Sequence, residues 1–280
     1  MARTITRHVW LAKINRRSHT LFDRPFEEEI VDALSPDNTV TRYSRTWRLS
    51  APSTSERSLV GKLGFVRRSA GASVTYDERL HDFVVSEAPT IQGNFAYYVL
   101  DLPTRILGFE ERPPDIYRQS FLGALEGLLH SQGFKWDVDP LTDEASFEAW
   151  LRDVDVVTRF HATVNRPNPT PRRHAAEIRD LILEPKSDRF TVDATVDSDS
   201  SEGLQVDGTI LGALADHAAD GNGRFKMSAR KCGSWRFFDS LRRLRSGRMT
   251  LQDTDGEPEL VTQLTNIVSE AADEYRDSES

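Results

Sequence analysis

The sequence predicts an α+β protein, in which a strand-rich N-terminal part is followed by a mixed sheet with helices on one face. Three observations predict it. Short runs rich in β-branched and aromatic residues fill the first third of the chain, broken by Ser, Pro and Gly. Three later segments alternate apolar and polar residues with period two. Between and after them lie stretches whose apolar residues recur at helical spacing.

In chain order, the strand candidates are His8–Ile14, Thr41–Leu49, Leu59–Arg67 and Ser73–Val85, with breaks at Ser50-Ala51-Pro52-Ser53 and Ser69-Ala70-Gly71. Phe95–Asp101 and Arg105–Glu110 read as a hairpin closed around Leu102-Pro103-Thr104. A helix follows, with Asp115 as N-cap behind two prolines and Tyr117, Phe121, Leu125 and Leu128 on one face.

In the middle of the chain, Val154, Val156, Thr158, Phe160, Ala162 and Val164 hold the even positions, against Asp155, Arg159, His161, Thr163 and Asn165. Phe190, Val192, Ala194 and Val196 repeat this pattern, and Phe225, Met227 and Ala229 do so opposite Arg224, Lys226, Ser228 and Arg230. Such alternation describes a sheet covered on one face and open on the other. Two amphipathic helices lie between. The first opens at Thr170-Pro171, an N-cap followed by proline at the first helical position, and buries Ala175, Ile178 and Leu181 or Ile182. The second runs from about Leu204 to Ala219 and buries Val206, Ile210, Leu214 and Ala218. A last helix starts near Pro258 with Leu260, Leu264, Ile267, Ala271 and Tyr275 inward, and the acidic residues after it are expected to fray. This divides the chain into residues 1–135, residues 136–235, and a C-terminal 236–280 that packs on the N-terminal part.

Composition removes several function classes. A hydrophobic fraction of 38% is enough to build a core, so wholesale disorder is excluded. No apolar run approaches the ~18 residues a membrane helix needs. The start, Met1 to Arg7, lacks the apolar segment of a secretory signal, so a cytoplasmic protein is expected. The single cysteine, Cys232, excludes an internal disulfide and a cysteine-based zinc site. The histidines are dispersed and no two stand four residues apart, so no metal site is expected. There is no phosphate loop and no serine elbow, and Gly203, Gly208 and Gly212 miss the dinucleotide spacing. Glu184-Pro185-Lys186 with Asp180 has the letters of a nuclease motif, but Pro185 cannot sit in the central strand that would carry it. No catalytic residue and no cofactor are therefore expected.

Charge is what remains. The chain carries a net −8, yet residues 1–68 hold 13 Lys/Arg against 7 Asp/Glu. Nine basic residues, Arg224, Lys226, Arg230, Lys231, Arg236, Arg242, Arg243, Arg245 and Arg248, fall in one stretch whose only acid is Asp239. Trp235, Phe237 and Phe238 interleave with them. An extended cationic array suits a phosphate backbone, so these nine are the candidate DNA-binding residues. The bland alternative is a solvated face with Trp235 and Phe237 in the core, and a protein-interaction regulator is the competing function. Arg3, Arg7, Lys13, Arg16 and Arg17 are the next candidates.

Tyr98-Val99-Leu100-Asp101, Arg105-Ile106-Leu107-Gly108-Phe109, Phe121-Leu122, Asp137-Val138-Asp139-Pro140-Leu141 and Ile182-Leu183-Glu184-Pro185-Lys186 follow in an order that resembles the RexA phage-exclusion proteins of temperate phages, over roughly residues 95–235. The resemblance implies a fold similar to the recombination-associated protein RdgC. It also implies a homodimer that binds double-stranded DNA with little sequence preference. It further implies a role as the intracellular sensor of a prophage-encoded exclusion system, an antiviral abortive-infection defence, with the small membrane channel RexB as partner.

Overall fold

The computed structural model describes residues 4–16, 24–55, 57–68, 73–86, 91–131, 136–165, 178, 187, 189–197, 202–252 and 255–277. The protein is α+β and strand-rich, and no helix among the described residues is long and apolar enough to cross a membrane. The chain divides into two compact units. Met1–Leu11, His19–Val138 and Gly247–Tyr275 form the first, and Ala12–Ser18, Asp139–Ser246 and Arg276–Ser280 form the second. Against the expected division at 135 and 235, residues 236–246 fall with the central sheet, and the chain joins the N-terminal part from Gly247.

The first unit is organised by one large sheet. Its strands are β1 (Thr4–Arg16, of which Ala12–Arg16 belong to the second unit), β2 (Thr39–Arg42), β3 (Arg45–Leu49), β4 (Ser53–Thr54), β5 (Ser58–Arg68), β8 (Ile91–Asp101), β9 (Ile106–Glu110), β10 (Trp136–Pro140, of which Asp139 and Pro140 belong to the second unit) and β15 (Ser246–Gln252, in the first unit from Gly247). They run in the order β10-β1-β9-β8-β5-β3-β2, with β15 on β1 and β4 on β5, while β6 (Ser73–Asp77) and β7 (Asp82–Ser86) pair separately. The expected hairpin is β8–β9, with Tyr98 opposite Phe109 and Leu100 opposite Leu107. Asp101 closes it by accepting from the Thr104 hydroxyl at 2.6 Å and the Thr104 N–H at 3.1 Å.

Two helices cover this sheet on opposite faces. Helix α2 (Arg118–Ser131) lays Phe121 flat on Phe109, with ring centroids 4.2 Å apart. The long C-terminal helix (Glu257–Asp277) reaches the other face at Gly108, where a Cβ would fall inside the radius of Val268. The start of α2 differs from expectation. Ser120 Oγ accepts the Tyr117 N–H at 3.1 Å, so the first turn begins later, while the Asp115 carboxylate accepts from Asn94 at 3.1 Å. Tyr117 is exposed as a result. The C-terminal helix runs two residues past Tyr275, to Asp277, and the residues beyond it lie outside the described residues. Glu257 pairs with Lys62 at 3.4 Å and Asp273 with Arg57 at 3.2 Å, and Val268 rather than Ile267 completes its buried stripe. The short helix α1 (Phe26–Ala33) buries Phe26 and Ile30 in the same unit.

The second unit is simpler. Strands β12 (Arg189–Thr195), β11 (Val156–Asn165), β13 (Gly223–Lys231) and β14 (Ser234–Asp239) lie in that order. The sheet is antiparallel throughout rather than mixed. Its expected strand–helix–strand crossover exists, as β12, helix α4 (Ile210–Ala219) and β13, but β11 is inserted between the two strands and runs against both. Phe160, Ala162 and Val164 of β11 align with Phe190, Val192 and Ala194 on one side and with Phe225 and Met227 on the other. Helix α3 (Glu144–Asp153) and α4 pack on this apolar face, with Phe147 against Phe225 and Phe238.

Two details depart from the sequence pattern. A β-bulge between Val157 and Arg159 shifts the alternation, so Val157 rather than Val156 faces the core, and Thr158 Oγ1 turns back to the Ser228 carbonyl at 3.2 Å. Helix α4 begins five or six residues after Leu204. Gly208 adopts φ 65°, and the Thr209 hydroxyl then caps the helix by accepting the Leu211 N–H, which leaves Ile210 exposed and Val206 buried before the helix starts. The helix expected from Thr170 lies outside the described residues except Ile178, which is fully buried in this core.

Candidate nucleic-acid interface

The uncovered face of the four-stranded sheet is built by register. Each core residue has its polar neighbours on the opposite side. Arg159, His161 and Thr163 of β11 therefore share the open face with Thr191, Asp193 and Thr195 of β12 and with Arg224, Lys226 and Ser228 of β13. The tip of the β13–β14 hairpin extends this face. Lys231 pairs with Ser234 across a two-residue turn in which Cys232 and Gly233 have φ 46° and 77°, the left-handed pair of a type I′ turn. Asp155 secures the turn by accepting the Cys232 N–H at 2.7 Å. That register sets Trp235 opposite Arg230 and Phe237 opposite Ser228, on the open face.

The two rings are thus outside the core. Phe237 is 71% exposed and Trp235 46%, with centroids 6.2 Å apart and planes within 14°. Only Phe238, pointing the other way, joins the core. The Arg230 guanidinium lies 5.0 Å from the centroid of Trp235, and among the described residues it makes no ion pair and its Nε has no partner. Among the described residues, the sheet face beside the rings presents cations, hydroxyls and carboxylates, with half-buried Val156 opposite Arg230.

Several of the cations are already engaged. Arg159 donates to Asp193 at 2.9 Å, and His161 stands 3.3 Å from the same carboxylate. That hydrogen bond from Arg159 holds the Asp193 carboxyl below the usual carboxylate range. Lys226 pairs with Asp239 at 3.2 Å, and exposed Arg242 faces that aspartate at 3.9 Å. Arg224 turns to the edge of the face and donates to buried Asp139 at 3.0 Å. Asp139 also accepts from Asn15 at 3.2 Å and Asn165 at 2.6 Å, and nearby Lys13 donates to Asn222 at 3.1 Å. This is a buried polar network, satisfied within the unit.

The nine sequence candidates are therefore not one array. Arg224, Lys226 and Arg230 reach the open face, and Arg242 adjoins it. Lys231 and Arg236 have the opposite parity: Arg236 is opposite Ala229, while Lys231 pairs with Asp153, whose carboxyl it holds below the usual range. Arg243 is exposed beyond the 3-10 turn Ser240–Arg242, and Arg245 is half-buried, its N–H on the Leu141 carbonyl. Arg248 sits on β15, in the other unit. Of the next candidates, Arg7 donates to buried Glu110 at 2.6 Å and Lys13 is buried, so neither offers a surface cation of the kind expected. Arg16 is half-buried, and Arg3 and Arg17 lie outside the described residues.

The sequence reading missed the grouping of Arg159, His161 and Asp193 on the face, although β11–β12 alternation places them there. Glu126, His130 and Asp137 also come together, with ligand atoms within 4.8 Å of one another in the first unit. His130 Nε2 is already on the Trp136 carbonyl at 2.5 Å. A groove of about 570 Å³ in the second unit is lined by Leu151, Val154, Val157, Leu204 and Val206, with Glu148, Arg152, Asp155 and Asp207. Among the described residues no serine, threonine, cysteine, lysine or histidine lines it. Asp180 and the Glu184-Pro185-Lys186 segment lie outside the described residues. Comparison with known proteins finds no family model and no curated protein that matches this chain.

Proposed function

We propose that the protein is a non-catalytic nucleic-acid-binding protein whose contact surface is the open face of the second unit's sheet. One observation carries this: two exposed aromatic rings share a solvent-facing antiparallel sheet with Arg230, Lys226, Arg159 and the adjoining Arg242. Cations neutralise phosphates whatever the base sequence, whereas base readout needs an element fitted to a groove. Binding with little sequence preference and a steep salt dependence follows. The RexA resemblance extends the proposal to double-stranded DNA as ligand, a homodimer, and a cytoplasmic sensor of phage infection acting with a RexB-like membrane channel. A closed dimer would present the face twice to a duplex, which suits that assembly.

The experiment is a titration of the full chain with unrelated DNA sequences at two salt concentrations, beside a sizing measurement. Equal affinities across sequences, falling together with salt, support the proposal. No salt-sensitive retention on DNA would leave the protein-interaction alternative standing.

A further inference from the structure

We propose that Trp235 and Phe237 form a stacking platform for unpaired nucleobases, so that the open face takes single-stranded nucleic acid as well as a phosphate backbone. The inference rests on the nucleic-acid reading above and specifies its ligand.

The physical case begins with exposure. Two large aromatic side chains left exposed forgo burial free energy, so a fold that keeps both outside has a surface suited to covering them. Their neighbours indicate the chemistry of the cover. Here the rings are flanked by Arg230 and Ser228 directly across the ladder, then by Lys226, Asp239 and Arg242. Aromatic faces beside positive charge are what a single strand requires, because every base has a π-face and every nucleotide a phosphate. A duplex cannot use the rings in this way, since its bases are stacked on one another and a flat sheet enters neither groove deeply.

The geometry fits the platform role. Trp235 and Phe237 are two residues apart on one strand, so their side chains emerge on the same side and the planes stay near parallel, 14° apart. Their position on β14, the edge strand of the sheet, leaves one flank of the pair without a neighbouring strand among the described residues. Arg230 lies against the Trp235 ring, with its Nε lacking a partner among the described residues. The tight Cys232-Gly233 turn and the Asp155 contact fix the hairpin, so little order is lost when a ligand docks.

Direct binding of three probes tests this: a short oligothymidylate, an abasic strand of the same length, and a duplex, with the parent protein, Trp235→Ala/Phe237→Ala, and Phe237→Ala alone. The parent should bind oligothymidylate at least tenfold more tightly than the abasic strand, and the double variant should lose that difference. Phe237→Tyr should retain the parent behaviour. Both side chains are largely exposed, so the variants should fold, and Phe237→Ala provides a lighter change whose melting temperature is checked beside it. If the parent binds the duplex and both single strands equally and the double variant changes nothing, the nucleic-acid reading stands and the platform is overturned. Equal loss on all three probes also overturns it, as does a change from dimer to monomer accompanying the loss. If the parent binds no probe, the underlying reading itself fails.

Discussion

Arg224 Nε donates to Asp139 Oδ1 at 3.0 Å, and that carboxylate is only 3% exposed. Arg224 stands in the run of basic residues that reads as a DNA-binding array, yet its guanidinium serves the interior of its own unit. Truncating it removes a charged donor from a buried acceptor that keeps Asn15 and Asn165. Arg224→Ala should therefore destabilise the protein by about 1–3 kcal/mol, the usual cost of leaving a buried polar group short of a partner. Urea unfolding measures this directly. A change under about 0.5 kcal/mol would mean that the two asparagines suffice for Asp139.

Asp193 should act as a brake on polyanion binding. Its carboxylate engages Arg159 and His161, and the Arg159 hydrogen bond holds its pKa down. Because the folded pKa is lowered, this contact contributes stability above the ordinary carboxylate range and loses it as pH falls through the lowered value. Over the same descent the face gains net positive charge, so affinity for nucleic acid should rise. Asp193→Asn should reproduce the gain at neutral pH, tightening binding several-fold and steepening the salt slope by about 0.9 for the released cation. Unchanged affinity and slope in that variant would show that Arg159 meets no phosphate.

The hairpin turn predicts a stability change with a definite sign. Cys232 occupies a left-handed position, φ 46°, that asparagine and glycine adopt more readily. Cys232→Asn should stabilise by a few tenths of a kcal/mol, and Gly233→Ala should cost about 1 kcal/mol or more. Asp155→Ala removes the acceptor of the Cys232 N–H and should lower stability by about 1 kcal/mol. Thermal melts of the three variants decide it, and the turn assignment fails if Gly233→Ala is neutral.

What was legible in the sequence was local and periodic. Phe190, Val192 and Ala194 and then Phe225, Met227 and Ala229 have period two because one face of the sheet is covered, and the register confirms their shared side. What was not legible depends on partners distant in sequence or on single-residue geometry. The bulge at Thr158 inverts the parity of the residues before it and leaves no mark in composition. The segment from Leu204 to Thr209 has helical spacing, yet Gly208 and the Thr209 cap start the helix only at Ile210. Ser234–Asp239 carries two aromatics in succession, so alternation could not choose which faces outward. The Cys-Gly pair before it was the available signal: a two-residue turn fixes the register and thereby sends Trp235 and Phe237 to the open side. Which cations are free was the least legible, because Asp139, Asp153 and Asp193 reach them from other elements.

The strongest discrimination comes from strand parity. Lys226 is on the open face and Arg242 adjoins it through Asp239, whereas Lys231 and Arg236 project on the opposite side of the same hairpin. The two pairs carry equal charge and lie within a few residues of each other, so net charge and local composition cannot separate them. If the open face meets phosphates, Lys226→Ala/Arg242→Ala should lower affinity for every sequence alike, by about tenfold at low salt, and flatten the salt slope by about 2, since each neutralised phosphate contributes about 0.9. Lys231→Ala/Arg236→Ala should leave the slope within about 0.5 of the parent. Melting must be measured for both, because Lys and Arg stems cover apolar surface and Lys231→Ala also frees Asp153 from its partner. Equal loss in the two folded variants would mean that binding follows total charge and no particular face. A larger loss in the Lys231/Arg236 variant would move the interface to the side of the hairpin that carries Asp153.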